Sequence, residues 1–127
     1  MKLAKIQDQY GLFIDGEWRE ASDKKTFATH CPATGEVLAH CAEATDYDVD
    51  RAVSAAWVAW ESWKKTSVNE RAAVLNAIAD VIDANKEHLA LVESLDNGKP
   101  IRETLAIDIP LSAAHFRYFA GAILAEE

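Results

Sequence analysis

The sequence predicts an α+β arrangement: a β-hairpin and short strands in the first third, then three or four helices. Three observations predict it. A β-rich apolar run is broken by Asp15-Gly16, the hydrophobic period turns helical from Thr45, and two capping-box signatures stand ahead of the helical stripes.

Residues 1–10 read as an N-terminal tail. It carries Lys2 and Lys5 but no apolar stretch, so it is not a secretory signal. Leu12-Phe13-Ile14, then Asp15-Gly16, then Glu17-Trp18 predict a tight hairpin, because Asp-Gly supplies the two positive φ angles such a turn needs. A second extended stretch runs from Thr26 to Cys31 and is closed by Pro32. Ala33-Thr34-Gly35-Glu36 is read as a turn with Gly35 at positive φ, and Val37 to Cys41 as the strand that follows. These pieces make a small antiparallel element, too slight to be stable alone.

Thr45 with Asp48 is an N-cap and its capping-box partner, although Asp is less usual than Glu at the second place. Val49, Val53, Ala56, Trp57 and Trp60 fall on one face of the helix that follows, and Trp63 covers its end. Ser67 with Glu70 opens the next helix. Its stripe runs Val74, Leu75, Ile78, Ile82, Leu89 and Val92, interrupted by Asn85. Asn97-Gly98 stops it, with Gly98 in the left-handed position. Pro100 opens a third helix and Pro110 breaks or bends it near Asp108. Leu111 to Leu124 is helical again.

Half of the 127 residues are hydrophobic and 27% are charged, the composition of a folded domain. A net charge of −8 repels phosphate backbones and anionic bilayers, which argues against nucleic acid and membrane partners. No apolar run reaches the length of a membrane span, and the expected location is cytoplasmic. Cys31 and Cys41 read as reduced thiols rather than a bridge.

The search for chemistry finds little. Neither cysteine has a helix N-terminus or other obvious means of lowering its pKa. His30 and His40 each precede a cysteine, but adjacent strand residues point to opposite faces, so neither makes a Cys–His pair. His88 is expected to be exposed and His115 packed or hydrogen-bonded, and no two-histidine ligand spacing exists. Aspartates 46, 48, 50, 80 and 83 are better explained by capping and solvation than by paired acid–base work. Gly11, Gly16, Gly35, Gly98 and Gly121 are isolated, so there is no phosphate-cradling loop. The expectation is that the chain alone performs no redox or hydrolytic reaction. Large apolar faces, four tryptophans among them, lack partners, and the chain stops at Glu126-Glu127 after an apolar helix. It reads as part of something larger.

One segment is more specific: Glu93-Ser94-Leu95-Asp96-Asn97-Gly98-Lys99-Pro100. Around it stand Phe13-Ile14-Asp15-Gly16-Glu17-Trp18, Pro32-Ala33-Thr34-Gly35-Glu36-Val37, Asp50-Arg51-Ala52-Val53 leading to Ala55-Ala56, Arg71 with Leu75 and Ala79-Asp80, and Phe116-Arg117-Tyr118-Phe119-Ala120-Gly121. In this order the landmarks resemble the amino-terminal part of an aldehyde dehydrogenase, over nearly the whole chain from Gly11. Residues 99–104, with Asp108 and the stretch 115–121, look most like bacterial acetaldehyde-oxidising members.

The resemblance implies that residues 11–127 are an incomplete, amino-terminal part of the cofactor-binding domain, within the α/β fold of that family. It implies an enzyme in which a cysteine thiolate attacks an aldehyde, hydride passes to NAD or NADP, and a glutamate activates water to release the acid. Those catalytic residues, and the dinucleotide-binding strand, belong to later segments of the family. Cys31 and Cys41 do not match the nucleophile. Cys31 stands where many members have Asn before the proline, a departure that touches a turn hydrogen bond and not the chemistry. No catalytic or cofactor-binding residue is therefore assigned here.

Many members also bind a structural sodium or potassium ion. By resemblance its ligands here are the carbonyls of Thr29 and His30 and the carboxylate of Asp96, the alternative being that Asp96 only orders the Asn97-Gly98 turn. The resemblance further implies a homo-oligomeric complete enzyme acting on a small aldehyde. In it Trp57, Trp60, Leu75, Ile78, Ile82 and Leu89 pack against the remainder. The competing reading is a free-standing, non-catalytic helical interaction module. A self-sufficient module buries its tryptophans, and a piece of an enzyme exposes an apolar patch.

Overall fold

The computed structural model describes residues 6–125. Met1 to Lys5 of the expected tail, Lys2 and Lys5 included, and the terminal Glu126-Glu127 lie outside the described residues. The described chain forms two compact units, 6–65 and 66–125.

The first unit holds five strands and a helix: β1 (Gln9–Tyr10), β2 (Leu12–Ile14), β3 (Glu17–Arg19), β4 (Thr26–His30), β5 (Val37–Ala42) and α1 (Asp46–Trp63). β2 and β3 are the expected hairpin, with Phe13 opposite Trp18 and their rings 5.2 Å apart. Asp15 and Gly16 take φ of 56° and 78°, the pair of left-handed residues of a two-residue hairpin turn. Gly11 is required for a different reason. A Cβ there would lie 2.6 Å from the Arg19 carbonyl oxygen across the hairpin. Gly11→Ala is expected to destabilise this unit by about 1–3 kcal/mol, the range for forced overpacking, measurable as a lower urea midpoint.

β4 and β5 pair antiparallel, as expected. Their connection is closed by the Cys31 carbonyl, which accepts from the N–H groups of Thr34 (3.3 Å) and Gly35 (2.7 Å). Gly35 takes the positive φ expected of it, 75°. The element is not purely antiparallel, however. Gln9 and Tyr10, placed in the tail by the sequence, form β1 and run parallel to β5, giving the three-stranded order β1-β5-β4. Two residues carry too short a pattern to announce a strand; the partner's backbone recruits them, as in the 3.0 Å bond from His40 N–H to the Asp8 carbonyl.

The α1 capping box is complete: Thr45 accepts from the Asp48 N–H, and the Asp48 carboxylate accepts from the Thr45 N–H. The less usual Asp has a reason. Its Oδ2 also accepts from the N–H (3.0 Å) and hydroxyl (3.2 Å) of Ser22, so one buried carboxylate ties the loop after β3 to the start of α1. The expected apolar face of α1 is present but largely uncovered, with Val49, Val53, Trp57 and Trp60 all exposed.

The second unit comprises α2 (Val68–Ala84), α3 (Lys86–Asn97), α4 (Ile101–Glu103), a π-helical turn (Thr104–Asp108) and α5 (Ile109–Ala125). The Ser67–Glu70 capping box is complete. Asn85, expected only to interrupt a stripe, ends one helix and begins another. With φ −109° and ψ 15°, its N–H and side-chain amide both fold back onto the last carbonyls of α2. Gly98 ends α3 in the left-handed conformation, φ 84°.

Pro110 distorts the helical run near Asp108, as expected, without stopping it. The wide turn ahead of it, with Ile109 N–H reaching the Thr104 carbonyl, brings the chain into α5 with the proline in its first turn, where a missing N–H is tolerated. Thr104 is fully buried, and its hydroxyl donates to the Ala90 carbonyl at 2.9 Å, with Ser94 Oγ also at 2.9 Å. Thr104→Val removes this additional donor to the Ala90 carbonyl, which keeps its place in the α3 ladder, and the 2.9 Å contact with Ser94 Oγ; the expected loss is about 0.5–1.5 kcal/mol, readable in the same denaturation experiment.

Candidate functional site

The residues assigned to cation binding sit on separate elements. Thr29 and His30 end β4, where the register with β5 shifts between them. His30 points its imidazole to solvent while its carbonyl stays in the backbone. Asp96 lies in the last turn of α3, exposed, two residues before the left-handed Gly98. Among the described residues no three His, Cys, Asp or Glu side chains group as a metal site. The assigned donors are two carbonyls and one carboxylate, so only an ion content with backbone oxygen suits them.

Cys31 departs from expectation. Its thiol is held below its ordinary value, chiefly by the Thr34 hydroxyl and then by the N–H groups of Ala33 and Thr34, against burial and the nearby Glu36. No helix N-terminus is involved. The turn itself supplies the donors, so sulfur takes the hydrogen bonds an Asn would accept before the proline. Cys31 is buried and His30 exposed, as strand alternation requires, so the two do not form a catalytic pair. Cys41 is partly buried, and no disulfide joins the two.

The remaining histidines follow expectation. His88 is exposed, and His115 Nδ1 lies 2.8 Å from the Leu111 carbonyl. A carbonyl only accepts, so Nδ1 carries the proton. His115 borders an open, mainly apolar groove of ≈ 450 Å³ with Leu111, Ala114, Tyr118 and Phe119, all on α5. Asp80 and Asp83, assigned to solvation, are instead both engaged at 2.8 Å by Arg117 of α5, which raises the guanidinium's pKa further through those hydrogen bonds. This fork links α2 to α5. In the sequence the stretch around Arg117 is a landmark only, and nothing in a one-dimensional pattern pairs it with positions 80 and 83.

Among the described residues, then, no nucleophile, base and oxyanion donor converge, and no helix is long and apolar enough to cross a membrane. What the geometry presents is framework: closed caps, a hairpin, and apolar faces without cover.

Comparison with known proteins accounts for the framework. The model of the aldehyde dehydrogenase family matches residues 18–127. This chain belongs to the aldehyde dehydrogenase family. It is 50% identical over 122 residues to an aldehyde dehydrogenase of Rhodospirillum rubrum, covering 96% of this chain and 24% of that protein. It is 46% identical over 121 residues to acetaldehyde dehydrogenase 2 of Cupriavidus necator, again covering 24% of the relative. A solved aldehyde dehydrogenase of Bacillus cereus, in its NAD+ complex, superposes with a TM-score of 0.88 at 42% identity, covering 91% of this chain and 24% of that one. The chain thus spans about a quarter of the length of the aldehyde dehydrogenases it matches. Its α+β arrangement is that of a portion of the family fold.

Proposed function

We propose that this chain is the amino-terminal segment of an NAD(P)-dependent aldehyde dehydrogenase that oxidises a small aldehyde to its acid, and that the segment itself is structural and non-catalytic. The observation that carries this reading is exposure. Trp18, Trp57, Trp60 and Trp63 are 70, 67, 44 and 41% exposed, surface that a self-sufficient module would bury. The quarter-length match to the relatives supports the same reading. The stretch ahead of β1 then serves as a leading tail, β1 itself belongs to the sheet, and residues 11–127 are part of the cofactor-binding domain. The complete enzyme acts in the cytoplasm as a homo-oligomer.

The cation assignment belongs to this proposal. In the complete enzyme the Thr29 and His30 carbonyls and the Asp96 carboxylate hold sodium or potassium, an all-oxygen donor set suited to a hard monovalent ion.

The test uses the chain as it is. Mixed with acetaldehyde and either NAD+ or NADP+, it is expected to form no reduced nicotinamide, and neither cofactor is expected to move its melting temperature. Saturable stabilisation by either dinucleotide would place a nucleotide site in this chain and sink the reading.

A further inference from the structure

His30 on β4 and His40 on β5 stand ten residues apart in the sequence, a spacing that announces no metal motif. The sheet brings them together. Ala28 of β4 lies directly opposite His40, and His30 is two residues on from Ala28, so all three side chains share one face. The register shift beyond Thr29 leaves this intact. Thr29 pairs with Ala39 and His30 with Val37, so the extra residue, Leu38, belongs to β5 and β4 keeps its alternation. Burial agrees: His30 and His40 are exposed, while their chain neighbours Cys31 and Ala39 are buried. The two imidazoles are thus diagonal cross-strand neighbours, a spacing of about 7–8 Å that aromatic and long side chains can bridge. Directly opposite His40 on β4 there is only the Ala28 methyl group. Among the described residues neither ring takes a hydrogen bond or an ion pair, so their nitrogens are uncommitted.

We infer that His30 and His40 bind a divalent transition-metal ion of the zinc class, through one imidazole nitrogen each, and so clip β4 to β5, with water completing the coordination. Metal–nitrogen bonds of about 2.0–2.1 Å and the reach of two imidazoles span the diagonal. Nitrogen donors suit zinc, copper or nickel and select against magnesium and calcium, which take oxygen. The site is separate from the sodium or potassium assignment, which uses the His30 carbonyl, and it does not depend on the enzyme reading. Neither thiol joins it. Cys41 follows His40 in the strand and faces the other side, and Cys31 is buried. With two protein ligands the site is open, and it holds its ion less tightly than a closed site of four.

The test titrates zinc chloride into this chain at about pH 7.5, above the ordinary imidazole value, and follows binding by calorimetry together with the melting temperature. One ion per chain is expected, with a melting temperature that rises with zinc concentration, and magnesium is expected to give neither. His30→Gln and His40→Gln are each expected to lower zinc affinity at least about ten-fold, since even partners outside the first coordination sphere are worth about that much. Both side chains are exposed, so the variants should keep the metal-free melting temperature. His88→Gln and Cys41→Ser are expected to leave the affinity unchanged. A readout on the unaltered chain stands beside these: diethyl pyrocarbonate, which acylates accessible imidazoles, is expected to spare His30 and His40 together once zinc is added and to modify the exposed His88 as before. Absence of saturable zinc binding, affinity that survives either histidine change, loss of affinity with Cys41→Ser, or protection of one of the two histidines without the other would each overturn the site.

Discussion

Ala79→Leu is expected to destabilise the second unit by about 3 kcal/mol, at the upper end for overpacking, whereas Ala77→Leu two residues away should change stability by at most about 0.5 kcal/mol. The contrast follows from how α2 and α5 meet. Their buried residues are alanines: Ala72 and Ala79 on one helix, Ala113 and Ala120 on the other, each pair seven residues apart and so on one face. Ala79 is 0% and Ala113 1% exposed, and Arg117 closes the rim by engaging Asp80 and Asp83. Helices that meet through methyl groups approach closely, and a leucine at the centre must either push them apart or take a strained rotamer. Ala77 is exposed and has no such neighbour. Urea denaturation followed by helical circular dichroism decides it; equal effects at both positions would mean that the alanine seam is not a close contact.

That seam also marks a limit of what the sequence discloses. The expected stripe of α2 and α3 consists of large residues, yet Val74 and Ile78 are exposed while Ala72, Ala79 and Ala90 are buried. A helix with two apolar sides gives a periodicity that cannot say which side faces inward, and alanine, common everywhere in helices, contributes little to the pattern. Val74 and Ile78 point out of this chain, whereas Leu75, Ile82, Leu89 and Val92 of the same stripe are half-buried.

Local chemistry was far more legible. Asp15-Gly16, Thr45 with Asp48, and Ser67 with Glu70 each specify their own geometry through backbone groups within a few residues, so the hairpin and both capping boxes stand where the sequence places them. Features that need a distant partner were not legible. β1 exists because β5 is beside it, the π-helical turn resolves a conflict between Pro110 and a continuing helix, and the Arg117 fork spans 37 residues. The lowered Cys31 pKa lay between these cases. The donors at Ala33 and Thr34 were in view, but a cysteine in an asparagine's place does not announce that it accepts their bonds. For the candidate site, the residue types came from resemblance alone, since carbonyl ligands leave no side-chain signature.

Asp48 carries the second large expectation, an acid-sensitive first unit. Its carboxyl is held down to about 2 from an ordinary 3.8, first by the Ser22 N–H and then by the Thr45 N–H, with both hydroxyls adding to them against the cost of burial. A carboxyl whose pKa is lower folded than unfolded binds its proton more readily in the unfolded chain. Its contribution is therefore complete above the ordinary value of 3.8 and is lost as pH falls through that value toward about 2. Asp23, lowered by the Lys25 N–H and ammonium, pulls in the same direction from the same unit, and Glu70, lowered by the Ser67 N–H and hydroxyl, does so in the other. Asp48→Asn is close in size but uncharged. It is expected to weaken the unit at neutral pH and to flatten its acid limb, whereas Glu70→Gln should leave that limb as steep as before. The measurement is the urea midpoint against pH from neutrality down to about 2, followed by tryptophan fluorescence, because all four tryptophans lie in residues 6–65. An Asp48→Asn profile parallel to the parent's would show that the carboxylate is not held in its ionised form by the Ser22 and Thr45 donors. The loop after β3 would then owe its place to packing around Ala21 rather than to charge.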